Sequence, residues 1–183
     1  MVSFCDIPIS RVAEHTKLYG DYGIGMNRDW GIGKGLTPVI YLNKKSKIVR
    51  KALSKGYWRT KSNTSDRLLR FIKPLEGRPR GSRKEVAFYN ECEWRYVPAS
   101  GENFDSSLEK KSKNTFVDAN NMLKKNDPLK FSSKDVSYLI VPTEDKLEDM
   151  IGFINKHLKD QSTKEKDNLI SRLFVLNTLL KDI

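Results

Sequence analysis

Apolar residues fall on alternate positions through the segment VAFYNECEWRYVP (86–98): Val86, Phe88, Cys92, Trp94 and Tyr96, interrupted only at Asn90. A period of two predicts a strand with one face against a core. Tyr89, Glu91, Glu93 and Arg95 then share the other face, each about 6.5–7 Å from the next along the strand. Two carboxylates and a guanidinium in one row form either a solvated charge ladder or the floor of a site. Further strands are predicted at 1–5, 22–26 and 38–42. The unbroken apolar run VSYLIV at 136–141 has the pattern of a strand buried on both faces.

Helical spacing appears between these strands. Residues 9–19 predict a helix with Ser10 as cap and Gly20 as stop. Residues 47–53 place Ile48, Val49, Ala52 and Leu53 on one face and Lys47, Arg50 and Lys51 on the others. Leu68, Leu69 and Ile72 predict a helix over 65–73, ended by Pro74. A short helix is predicted at 116–124. Beyond Pro142-Thr143, the positions Leu147, Met150, Ile151, Ile154 and Leu158 form a helical stripe. The last segment opens on Ser162-Thr163-Lys164-Glu165, a capping box, and runs through Leu169, Ile170, Leu173, Phe174, Leu176, Leu179 and Leu180. The glycine, proline and arginine stretch at 76–84 reads as a loop, and the polar stretch at 99–114 as a mobile one. The class is α+β: one domain over 1–183, a small twisted mixed sheet flanked by helices, with a C-terminal helical pair at 143–183 packing together.

Composition narrows the function classes. With 38% hydrophobic and 31% charged residues, the chain has no apolar run near the roughly 20 residues that cross a bilayer. Its opening, MVSFCDIP, lacks the features of a signal peptide. A cytoplasmic protein with no membrane partner is therefore expected, with Cys5 and Cys92 as buried free thiols in strands. Two cysteines and two histidines without ligand spacing give no expected metal site. His15 and His157 read as structural residues. The glycines between 20 and 35 lack the spacing of a dinucleotide or P-loop motif and read as turns.

The net charge of +11 belongs to one segment. Residues 43–84 hold fifteen Lys and Arg against two acids, a local +13, and the rest of the chain sums to −2. Such asymmetry fits an acidic protein surface or a nucleic acid, or else a solvated insertion. Arg59, Lys61, Arg78, Arg80, Arg83 and Lys84 are the candidate binding residues. Tyr57, Trp58 and Phe71 lie among cations in the same segment, an arrangement able to stack bases. For the charged row, paired carboxylates can divide acid and base roles when their surroundings separate their pKa values. An exposed Glu–Arg pair would instead contribute under about 1 kcal/mol.

Taken together, MVSFCDIPIS, HTKLYGDYGIGMNRDWGIGKGLTPVIYL, YNECEWRYVP and VSYLIVPTED resemble the AbiGi family of abortive-infection phage-resistance proteins, described as antitoxins. The resemblance implies a bacterial defence locus and a toxin partner of nucleotidyltransferase type. It also implies a likeness to small ADP-ribosyltransferase-like domains, in which a strand-borne glutamate of an E-x-E pair stabilises a cationic state as nicotinamide leaves NAD. By that analogy Glu93 would be catalytic, with Glu91 and Arg95 in support and NAD as the co-substrate; without it no cofactor is expected. Relatives carry a segment ahead of the MVSFCDIP strand that would supply an early NAD-binding strand, so a chain starting at this strand is expected to bind rather than catalyse. An RNA-binding or RNA-cleaving effector is the third expectation, resting on the basic segment.

Overall fold

The structure, a computed structural model, describes residues 1–54, 68–79, 83–98, 113–126 and 128–181. Its strands are Val2–Cys5 (β1), Gly23–Met26 (β2), Thr37–Pro38 (β3), Ile40–Leu42 (β4), Ile72–Pro74 (β5), Glu76–Gly77 (β6), Val86–Ala87 (β7), Glu93–Tyr96 (β8), Val136–Val141 (β9) and Leu173–Val175 (β10). Its α-helices are Val12–Tyr19 (α1), Arg28–Gly33 (α2), Lys47–Ser54 (α3), Lys113–Asn126 (α4), Glu144–His157 (α5), Thr163–Ile170 (α6) and Leu176–Leu179 (α7). The chain divides into two compact units. Unit 1 holds Met1–Ile7 and Gly35–Leu129, and unit 2 holds Pro8–Lys34 and Lys130–Ile183.

Unit 2 is organised by the apolar run VSYLIV. Its strand β9 is central, antiparallel to β2 and parallel to β10. One face packs Ile140 and Tyr138 with Val12 of α1 and Leu176 of α7. The other packs Val136 and Leu139 with Met150, Ile154 and Leu158 on α5 and its C-terminal end, and with Leu169 and Ile170 of α6. Burial on both faces is what a continuous apolar strand requires, and Val141 is 0% exposed. A parallel neighbour needs a long crossover, which α5 and α6 supply. Helix α5 carries Glu144 and Asp145 in its first turn and Lys156 and His157 in its last, matching the helix dipole. Helix α6 begins with the expected box. The Ser162 amide donates to Glu165 Oε2 at 3.0 Å, and the Glu165 amide donates to Ser162 Oγ at 3.3 Å.

In unit 1, β8 lies between β1 and β3, antiparallel to both, with Cys5 opposite Glu93 and Thr37 opposite Arg95. Strands β4 and β5 form a parallel pair that sets Tyr41 opposite Lys73. A second short antiparallel pair joins β6 to β7.

The α+β class holds, but the secondary structure departs from expectation at five points, the first being the glycines read as turns, of which Gly23 and Gly25 lie in β2 and Gly31 and Gly33 in α2. The sheet expected as one is divided among small sheets. The 86–98 strand is broken: β7 stops at Ala87, a 3-10 turn covers Phe88–Glu91, and Cys92 is left-handed at φ 44°. Asn90, the position that interrupted the alternation, lies in that turn. Residues 65–73 do not form one helix. A 3-10 turn at Leu69–Phe71 leads straight into β5, because the residue before Pro74 is pushed out of helical geometry and β4 offers a pairing edge. The final helix ends at Ile170, and Leu173–Val175 extends to pair with β9 before a short α7, so the expected helical pair is α5 with α6 only. The expected mobile loop at 99–114 falls outside the described residues as far as 112, and α4 then takes in the predicted 116–124 helix.

Strand β2 reads GIGM because its glycines face bulky neighbours. A Cβ on Gly25 would lie 2.3 Å from the Tyr138 ring, which is itself edge-on to Phe174. Gly25→Ala is expected to destabilise the protein by about 1–3 kcal/mol through overpacking, measured by urea unfolding. Gly33→Ala, where nothing lies within 4 Å of the new Cβ, is the matched control.

Candidate functional site

The charged row of the sequence converges in unit 1, inside the protein. Glu93 begins β8 and Glu91 ends the preceding 3-10 turn, and the two side chains are among the most buried in the unit, at 5% and 9% exposure. Both reach the same cation. Lys73 on β5 donates from Nζ to Glu91 Oε2 at 2.7 Å and to Glu93 Oε2 at 2.8 Å. Arg95, two residues along β8 and on the same face, grips Glu93 with two donors: Nε to Oε1 at 2.7 Å and Nη2 to Oε2 at 3.2 Å. Its Nη1 donates to the Arg70 carbonyl. The Lys73 ammonium also lies 4.5 Å from the centre of the Phe88 ring. From β4, the Tyr41 hydroxyl accepts the Glu93 amide at 2.9 Å, while Val39 N–H donates to the Glu93 carbonyl at 2.9 Å.

Local geometry explains why the glutamates meet. The left-handed Cys92 turns the chain between them, so a side chain on the turn and one on the strand approach one ammonium. For a non-glycine residue that conformation costs about 1–2 kcal/mol, and the surrounding contacts sustain it.

The electrostatics follow from this packing. Burial alone would raise the Glu93 carboxyl. Hydrogen bonds from Arg95, Lys73 and the Ser3 hydroxyl of β1 outweigh it and hold the group down at about 2. Burial opposes the Lys73 charge, yet Glu91 and Glu93 keep its pKa above the ordinary lysine value. Burial pushes the Cys5 thiol up to about 12, with the neighbouring carboxylates adding to the effect. Tyr41 is raised, chiefly by burial. Two anions and two cations are thus matched inside the fold. A carboxylate held near 2 is a very weak base at neutral pH, and both Glu93 oxygens are already engaged. These residues do not fit an NAD site: a cationic sugar needs an open carboxylate, and this one faces its own lysine and arginine.

Of the sequence candidates, Glu91, Glu93 and Arg95 come together, joined by Lys73, Tyr41 and Ser3, which the pattern did not single out. Lys73 was hidden by the helix expected over 65–73; the signal for it is Pro74, which favours extended backbone just before it. The basic candidates Arg78, Arg83 and Lys84 are exposed, whereas Arg59, Lys61 and Arg80 lie outside the described residues. The two expected buried thiols differ: Cys5 is partly buried in β1, and Cys92, in the turn rather than a strand, is exposed. Among the described residues no three His, Cys, Asp or Glu side chains gather as a metal site would need, and no helix is long and apolar enough to cross a membrane.

Comparison with known proteins adds an independent line. A family model described as "Putative abortive phage resistance protein AbiGi, antitoxin" matches residues 1–142. An abortive phage resistance protein AbiGi from Lactococcus lactis subsp. cremoris is 29% identical, over 100% of this chain and 88% of its own. No solved structure matches, so the ADP-ribosyltransferase likeness has no structural neighbour behind it.

Two outcomes follow from the cluster. Since the folded Glu93 pKa is depressed from 4.5 to about 2, its stabilising contribution is complete above pH 4.5 and is lost as pH falls from there toward 2. Glu93→Gln should flatten that part of the acid-unfolding curve; an unchanged curve would contradict the assignment. Alkylation with iodoacetamide at pH 8 should label Cys92 in the native protein and Cys5 only after unfolding, as peptide mass mapping would show.

Proposed function

The chain belongs to the AbiGi family of abortive phage resistance proteins, and from that premise we propose that it is an antitoxin acting by binding, restraining a toxin partner encoded at the same defence locus. The observation that carries this reading is the internal neutralisation of Glu91 and Glu93 by Lys73 and Arg95. The residues that chemistry would have used are engaged in holding β5, β8 and the 3-10 turn together, which leaves the surface as the working part of the molecule. Unit 1 supplies its electrostatic character, with 21 Lys and Arg against 11 Asp and Glu. Arginine is enriched at protein interfaces and lysine depleted. The exposed Arg78 and Arg83, beside Lys84, therefore make the edge that an acidic partner surface would meet. The transferase reading loses its support with the closed carboxylate, and an RNA-cleaving role has no candidate base in the cluster.

The test is growth of bacteria carrying this chain, its genomic neighbour, or both. The chain alone should be harmless, the neighbour should arrest growth, and co-expression should restore it with the two proteins co-purifying. Replacing Arg78, Arg83 and Lys84 with Gln should weaken that complex and reduce its salt dependence. Arrest by the chain alone, relieved by an equally abundant Glu93→Gln variant, would instead establish a catalytic carboxylate and end the binding proposal.

A further inference from the structure

A second basic surface in unit 1 has a different composition. Between Asp29 and Asp66 the chain contains no acidic residue. Within that stretch Lys44, Lys45, Lys47, Arg50 and Lys51 are all exposed, on the turn before α3 and on α3 itself. Lys47, Arg50 and Lys51 are spaced i, i+3 and i+4, which puts their Cβ atoms about 5–6 Å apart on one helical face, where like charges destabilise a helix by a few tenths of a kcal/mol per pair. The first turn of α3 holds no acid to offset them. Among the described residues, the ion pairs of Lys73, Arg95 and Lys146 leave Lys44, Lys45, Lys47 and Arg50 out.

We propose that this surface binds the phosphate backbone of nucleic acid without reading its sequence. Four of the five cations are lysine, the residue depleted at protein interfaces, whereas nucleic-acid interfaces are far more positive than protein ones. Cations rising about 4.5–6 Å along the helix meet a strand that presents one phosphate per 3.4 Å of its axis. The neutral polar side chains of the patch are already engaged within the protein: Asn43 Oδ1 accepts the Lys45 amide at 2.9 Å and Ser46 Oγ accepts the Val49 amide at 3.4 Å. Contacts from lysine and arginine to phosphate position a nucleic acid without carrying sequence information. Ile48 stands 81% exposed among the cations, but one exposed large apolar side chain among those described, on a helix of about 12 Å, is far less than interfacial insertion into lipid uses. The proposal is independent of the toxin-binding reading, because it uses different residues and needs no partner protein.

Fluorescence anisotropy tests it on the full chain, with labelled 20-base-pair DNA and RNA duplexes of one sequence at 50 and 200 mM salt. Three or four phosphate contacts should weaken binding on the order of 10²-fold between those salts. The variant Lys44→Gln/Lys45→Gln/Lys47→Gln/Arg50→Gln/Lys51→Gln should bind at least tenfold more weakly with a shallower salt slope, while unfolding at the wild-type urea midpoint. The unit 2 variant Lys156→Gln/Lys159→Gln/Lys164→Gln should bind like wild type. Tighter binding to RNA or to DNA identifies which backbone is held, and either supports the proposal. Equal binding by the five-site variant would overturn it. So would polyglutamate competing as well as the duplexes at equal charge, or phosphatidylserine vesicles being bound when neither duplex is.

Discussion

Two carboxylates cannot be taken out of water side by side unless cations go with them. The penalty per buried ion is several kcal/mol even after relaxation. Glu91 and Glu93 meet that condition through Lys73 from β5 and Arg95 from β8, with Tyr41 on β4 and Ser3 on β1 adding hydrogen bonds. The apolar side chains of unit 1 buried to the same degree among the described residues are few, Leu36, Val39 and Pro98. Ionic geometry therefore carries much of the specification that an apolar core carries elsewhere. A register slip in β8 would strand Glu93 away from its cations, so the pairing of β1, β3 and β8 is tied to this cluster.

Unit 2 shows the opposite economy. It holds its strands between two apolar clusters, and its Lys and Arg nearly balance its acids, 13 against 12. The chain's excess charge accordingly falls on the unit whose interior already depends on ions.

Unit 2 was largely legible in the sequence. VSYLIV, the stripe from Leu147 to Leu158 and the Ser162 capping box each state their structure locally. Leu173–Val175 was misread because its apolar pattern fits a helix as well as a strand, and only the open edge of β9 decides between them. The site was half legible. The alternation at 86–98 correctly put Glu93 and Arg95 on one face, but Glu91 joins them from a 3-10 turn rather than from the expected strand, and the pattern could not give the sign of their environment. A polar face beside an apolar one reads as solvent-facing, and burial here depends on Lys73, twenty residues from Glu93 in the chain and brought in by a parallel strand pair that no local pattern announces. The left-handed Cys92 was equally hidden, since cysteine carries no preference for that conformation.

Equilibrium urea unfolding at pH 7 of wild type, Lys73→Met and Lys73→Met/Glu91→Gln tests the central claim most directly, that the carboxylate pair exists to be neutralised inside the fold. Removing the lysine alone leaves two buried carboxylates with Arg95 as the remaining cation of the cluster and should cost about 3–5 kcal/mol. Replacing Glu91 as well should recover a large part of that loss. A Lys73→Met protein within about 0.5 kcal/mol of wild type, the range of ordinary surface substitutions, would show that the cluster is not what holds unit 1 together and would reopen the charged row as a site for chemistry.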